Sequence, residues 1–114
     1  MNGVWSLCQD EYYHEFHILN TDTLINYSQH TAELEYPMHH ETRLFKLSNE
    51  KFYLSPTVID PLKEYNITFL DNHTFILNST DTFTKINITA VDANKLYNLP
   101  EFTSTYKERA ADCK

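Results

Sequence analysis

Six histidines, His14, His17, His30, His39, His40 and His73, are the side chains of this sequence best suited to ligate metal or move protons. A metal centre requires imidazoles, thiolates or carboxylates that converge on one point. On an extended strand, His14 and His17 point to opposite faces, and so do the adjacent His39 and His40. No HExxH, CxxC or facial-triad spacing occurs. Acid–base catalysis would require two carboxylates held together in a pocket. Glu11, Glu15, Glu33, Glu35 and Glu41 instead fall on positions that alternation assigns to solvated strand faces. Cys8 has no recognisable histidine partner in its sequence context, and there is no Gly-x-Ser-x-Gly elbow. The expectation is no catalytic residue, no bound metal and no cofactor. A hydrolase or metal enzyme would require His14 to meet His30 or His73 and a carboxylate in one cleft.

A different grouping suits protein recognition. Tyr13 stands among Glu11, Glu15 and His17, with Glu33 and Glu35 on a neighbouring segment and Asp22 on a turn. Tyrosine anchors interfaces, and acidic surroundings steer a basic partner. With alternation read this way, Glu11, Tyr13, Glu15, His17, Asp22, Glu33 and Glu35 form the expected partner-binding surface. Ordinary solubilising charge is the plainer alternative. The five Asn-x-Ser/Thr sequons, at Asn26, Asn66, Asn72, Asn78 and Asn87, read either as glycan acceptors or as the polar side of alternating strands; the second fits Asn66 with Thr68 and Asn87 with Thr89.

The elements that must carry these residues are mostly strands. The 114 residues amount to a single domain, 1–114, with 14% aromatic and 41% hydrophobic content and a net charge of -7. Such charge disfavours nucleic-acid partners. No apolar run is long enough for a membrane helix. With one Gly, the turns must fall to Asn, Asp and Ser. Period-two alternation predicts strands over 4–8, 11–19, 23–28, 31–36, 42–47, 50–55, 65–70, 73–78 and 82–89, with hairpin turns at Ser48-Asn49 and Asp71-Asn72. In the second of these, Tyr12, His14, Phe16 and Ile18 face inward. The span 56–64 is irregular, a loop or a short crossing strand. Eight or so short strands at this spacing predict a mainly β fold, a small antiparallel up-and-down barrel. Trp5, Tyr12, Phe16, Leu34, Tyr36, Phe45, Phe52, Phe69 and Phe75 are the expected interior, bulky enough to fill an eight-stranded barrel.

The period changes near the end of the chain. Asn98 as cap, Pro100 in the first turn and Glu101 three after the cap predict a helix over about 99–112. Phe102, Tyr106, Ala110 and Cys113 form its apolar stripe. Cys8 and Cys113 either pair, closing nearly the whole chain in an oxidising compartment, or remain two thiols in a cytosolic one.

Gly3-Val4-Trp5 on a first strand, followed by the meander and a closing helix, resembles the lipocalin superfamily, and small bacterial lipocalin-like (calycin-type) domains in particular. The resemblance implies structural roles for Gly3 and Trp5, the tryptophan plugging one barrel end. It also implies a non-enzymatic binding protein. Together with the acidic, Tyr-bearing surface, the resemblance suggests an inhibitor- or immunity-type protein that masks a basic partner such as a toxin. The alternative it implies is a carrier of a small apolar ligand. Family members are often secreted or lipid-anchored. The start of the chain reads accordingly, as secreted, periplasmic or lipid-anchored with a targeting segment removed, while a cytoplasmic location stays open.

Overall fold

The computed structural model describes residues 1–48, 51–55 and 59–113. Its strands are β1 (Gly3–Gln9), β2 (Tyr12–Ile18), β3 (Thr23–His30), β4 (His39–Ser48), β5 (Lys51–Leu54), β6 (Lys63–Asp71), β7 (Thr74–Leu77) and β8 (Asp81–Ile86). They pair antiparallel in sequence order, and β8 returns to β1 through Val4↔Ile86 and Ser6↔Thr84, closing the barrel. A 3-10 turn (Ala93–Asn98) leads into α1 (Pro100–Ala111), the single α-helix among the described residues.

Turn chemistry substitutes for the missing glycines. Asp10 (φ 43), Asn78 (φ 52) and Ser79 (φ 64) adopt the left-handed backbone that the β1–β2 and β7–β8 turns require. Asn20 Oδ1 accepts from the Asp22 and Thr23 backbone N–H groups, and Asp71 Oδ1 accepts from the His73 N–H. Gly3 has φ 98, and a Cβ there would come within 2.8 Å of Lys85 Cε. The positive φ selects glycine, whereas the lysine end can swing aside.

Two apolar cores result, one on each side of the β1–β3 wall. Inside the barrel, Trp5, Leu7, Phe16, Ile18, Leu24, Phe45, Phe52, Leu54, Ile67, Phe75, Leu77 and Phe83 form one cluster. Its rings pack closely: Phe75 stacks on Phe83 at 4.8 Å, and Trp5 meets Phe75 at 4.8 Å and Phe16 meets Phe83 at 4.7 Å in tilted pairs. Outside the barrel, Phe102, Tyr106 and Ala110 of α1, with Cys113 just past its end, lie over Tyr13, Ile25 and Tyr27. The Cys8–Cys113 disulfide fastens the end of this helix to β1, with the Cα atoms 5.5 Å apart.

Several sequence expectations are corrected. The segment 31–36 is a turn, not a strand. Glu33 N–H donates to His30 O and Tyr36 N–H to Glu33 O, so its backbone groups are satisfied locally, and Pro37 offers no donor for a ladder. Leu34 packs against the helix-side cluster, and Tyr36 is exposed, so neither lies in the barrel interior. Tyr12 and Phe69 have inward parity but are half-exposed; Tyr12 belongs to the last pair before the β1–β2 turn, Gln9↔Tyr12. Glu41 faces the interior rather than solvent, because it pairs with Asn26, which pairs with Phe16. The helix cap is Leu99, with no side-chain hydrogen bond, rather than Asn98, whose backbone belongs to the preceding 3-10 turn. The expected turn residue Asn49 and most of the irregular start, 56–58, lie outside the described residues. Of the remainder of the irregular span 56–64, residues 59–62 are loop, and Lys63 and Glu64 open β6.

Candidate functional site

The outward face of β2 is where sequence and structure diverge most. Tyr13, Glu15 and His17 do point out of the barrel, but α1 covers them, and Glu15 and His17 are fully buried. They are therefore not available as a partner surface. From the helix, Arg109 seats its charge against this wall. It approaches Glu15 through Nε (2.6 Å to Oε2) and Nη2 (3.1 Å to Oε1). Tyr13 Oη donates to Glu15 Oε2 at 2.5 Å, and His17 Nε2 lies 2.8 Å from Oε1. The Val91 N–H donates to His17 Nδ1 at 3.0 Å. Nδ1 is therefore an acceptor, and Nε2 carries the proton that it gives to Glu15.

The charge states follow from these contacts. Burial pushes the Glu15 carboxyl up, but the hydrogen bonds from His17, Arg109 and Tyr13 outweigh it and hold the group below the usual carboxylate range. Burial drives His17 down, against the pull of Glu15, and keeps the imidazole neutral. Burial and the Glu15 charge raise Tyr13, and burial raises Tyr27 and Tyr106 with it. Arg109 also stacks over the rings of Phe102 (5.9 Å) and Tyr106 (6.0 Å). Every polar atom of the Glu15–His17 pair is directed at a protein group. The pair pins the helix and has no face open to substrate.

The barrel interior is polar towards the end where β1 finishes. His14, Asn26, Glu41 and Arg43 occupy inward positions there, with Arg43 Nη2 3.4 Å from Glu41 Oε2, and Gln9 Nε2 donates to Asp81 Oδ1 at 3.2 Å. Burial pushes His14 down. Asn26 Oδ1 and Arg43 Nε make no hydrogen bond among the described residues. Asn26 is only 7% exposed, so in the folded chain its sequon is closed to glycosylation.

The lip of that end brings together other predicted residues. Glu11 ends the β1–β2 turn and reaches His30 at 3.5 Å, and Glu33 and Glu35 project from the 31–38 turn. Between the two turns lies a groove of about 190 Å3 lined by Tyr12, Ser28, Gln29, His30, Glu33, Tyr36, Pro37 and His39. Tyr12 (47% exposed) stacks edge-on with His30 at 5.0 Å, and Tyr36 is 58% exposed. The turn is anchored from below: Gln29 Nε2 donates to Glu33 O and Tyr36 O, and Lys107 Nζ donates to Leu34 O and Tyr36 O. The exposed tyrosines of this acidic surface are thus Tyr12 and Tyr36, not Tyr13. Asp22 stands apart, at the opposite end, where its carbonyl accepts from the Phe45 N–H. Proximity of Tyr12 to the Asp10-Glu11 turn was the available sequence signal for its exposure. The fold of the 31–38 turn had no comparable signal.

Gly3 and Trp5 lie where β1 begins. Trp5 is buried in the interior, with Lys85 Nζ 5.8 Å from its ring centroid. Among the described residues, no three or more His, Cys, Asp or Glu side chains are grouped to hold a metal ion, and no helix is long and apolar enough to cross a membrane.

Fold and site together define a class, a small closed antiparallel up-and-down barrel with one helix clamped to its outer wall, compatible with a calycin-like architecture. Compared with known proteins, the chain matches no family model, no curated protein and no solved structure.

Proposed function

We propose that this chain is a non-enzymatic, lipocalin-like binding protein that engages a basic protein partner, as an inhibitor or immunity protein against a toxin does. The engaging surface is the acidic, tyrosine-bearing lip formed by Glu11, Tyr12, Glu33, Glu35 and Tyr36. The observation that carries the reading is the exposure of Tyr12 and Tyr36 on either side of one groove, with Glu33 lining it and Glu11 at its edge. Tyrosine supplies rigid contact area, and a chain of net charge -7 attracts a cationic surface from a distance. The disulfide supports an oxidising location, secreted or periplasmic. Sealing of the Glu15–His17 pair argues against hydrolysis at that dyad. The closely packed interior rings weigh against the alternative, a carrier of a small apolar ligand.

The test is retention of partner on immobilised protein at low and high salt, with Glu33→Lys/Glu35→Lys as the lip variant and Glu64→Lys/Glu101→Lys, an equal change of net charge at exposed positions on β6 and at the start of α1, as the control. A specific basic partner retained at low salt should be lost on the lip variant and kept on the control. Equal retention by both, or none at low ionic strength, rejects the reading.

A further inference from the structure

The lip groove is too small for an ordinary small-molecule ligand. Its roughly 190 Å3 falls short of the ~300–1,000 Å3 of such sites. Its size suits a side chain rather than a whole small molecule. Its lining is specific in chemistry. Two half-exposed tyrosines line it together with the acidic residue Glu33. Gln29 completes the set. It is 4% exposed, its amide nitrogen is committed to Glu33 O and Tyr36 O, and its Oε1 accepts no hydrogen bond among the described residues. A buried acceptor left without a donor is costly unless something arrives to satisfy it. Ser28 adds a hydroxyl to the same wall. The local cation, Lys107, is held on the turn's backbone carbonyls at 2.7 and 2.9 Å, and it is not among the residues that line the groove.

We propose that this groove is the receptor for one cationic side chain of the partner, an arginine guanidinium. The assignment rests on the reading of the lip as the partner-binding surface and names what that surface grips. The guanidinium lies against Tyr12 and Tyr36, donates to Gln29 Oε1 and pairs with Glu33. Arginine is preferred to lysine because its plane stacks on aromatic rings, it is more weakly hydrated than an ammonium, and it carries donors enough for a carboxylate and an amide at once.

The experiment titrates the isotope-labelled full chain with Nα-acetyl-arginine amide, read by NMR at the Gln29 side-chain amide and the Tyr12 and Tyr36 rings. The lysine amide and the neutral citrulline amide serve as comparisons. Saturable shifts confined to the groove are expected, with citrulline about tenfold weaker or worse. Tyr36→Phe should keep binding within about twofold, since the ring face is retained, while Tyr36→Ala should weaken it about tenfold. Both changes leave the turn intact because Tyr36 contributes its backbone carbonyl to the anchoring bonds. Non-saturating shifts spread over the surface carboxylates, or equal binding of citrulline, overturn the proposal. Lysine amide binding as tightly as arginine amide overturns the guanidinium assignment. Salt-dependent partner retention is a separate readout. Saturable arginine binding without any retained protein leaves the groove standing and removes the protein-partner reading. Retention lost on Glu33→Lys/Glu35→Lys without arginine binding does the reverse.

Discussion

Replacing Arg109 by Met isolates the charge that holds the helix to the barrel. The methionine keeps most of the stem that packs over Phe102 and Tyr106 and removes the guanidinium. Glu15, at 0% side-chain exposure, keeps its bonds from Tyr13 and His17 but loses two short charged contacts. Removing one partner of a buried pair costs about 3–5 kcal/mol. Arg109 is 23% exposed, so water can reach the vacated place, and the lower end, about 3 kcal/mol, is expected. In a domain whose total stability is on the order of 5–15 kcal/mol, that is a large fraction. Urea unfolding followed by the single tryptophan, Trp5, measures it. Two further signatures belong to this mechanism alone. Glu15→Met/Arg109→Met should recover about 2 kcal/mol relative to additivity, because no orphaned charge remains. The penalty of Arg109→Met should also shrink with acidification: without Arg109, Glu15 loses two of the contacts that hold its carboxyl down, it takes up a proton at higher pH than in the native chain, and the variant gains on the native chain as pH falls. A loss below about 1 kcal/mol with no coupling to Glu15 would refute the account, since exposed pairs are worth no more than that.

Two other outcomes follow from the same structure. Reduction of the Cys8–Cys113 bridge, which closes a separation of 105 residues, should lower stability by about 4–5 kcal/mol on the loop-entropy scale; identical urea midpoints with and without reductant would show the bridge to be dispensable. In the native chain, His17 and Glu15 are both held below their ordinary values of 6.5 and 4.5, so the unfolded chain binds protons first. Stability is then full above pH 6.5, falls as His17 of the unfolded chain titrates below it, and falls again below 4.5. Tyr13, Tyr27 and Tyr106 are raised above 10.0, so stability is lost as pH rises past that value. A melting temperature unchanged between neutral pH and pH 5 would contradict the neutral, buried His17.

Local patterning settled a good deal of this protein on its own. Alternation in Trp5–Leu7, Phe16–Ile18 and Phe75–Leu77 fixed which side chains turn inward, because a strand has only two faces. A stripe at Phe102, Tyr106, Ala110 and Cys113 marked the helix, because that spacing returns to one side of an α-helix. Scarcity of glycine assigned the turns to Asn, Asp and Ser as residue types, and the structure places Asp10, Asn78 and Ser79 in the left-handed positions. The tertiary structure alone decided what lies over the outer wall. Alternation separates inside from outside, but it carries no information on whether an outside position meets water or another element. Tyr13, Glu15 and His17 therefore read as surface until α1, tied down by Cys113 and Arg109, closed over them. The same limit applies to Tyr12 and Tyr36. Their exposure depends on where a strand pair ends and how a neighbouring turn folds back, and both are fixed by contacts far apart in sequence, such as Lys107 on the carbonyls of Leu34 and Tyr36.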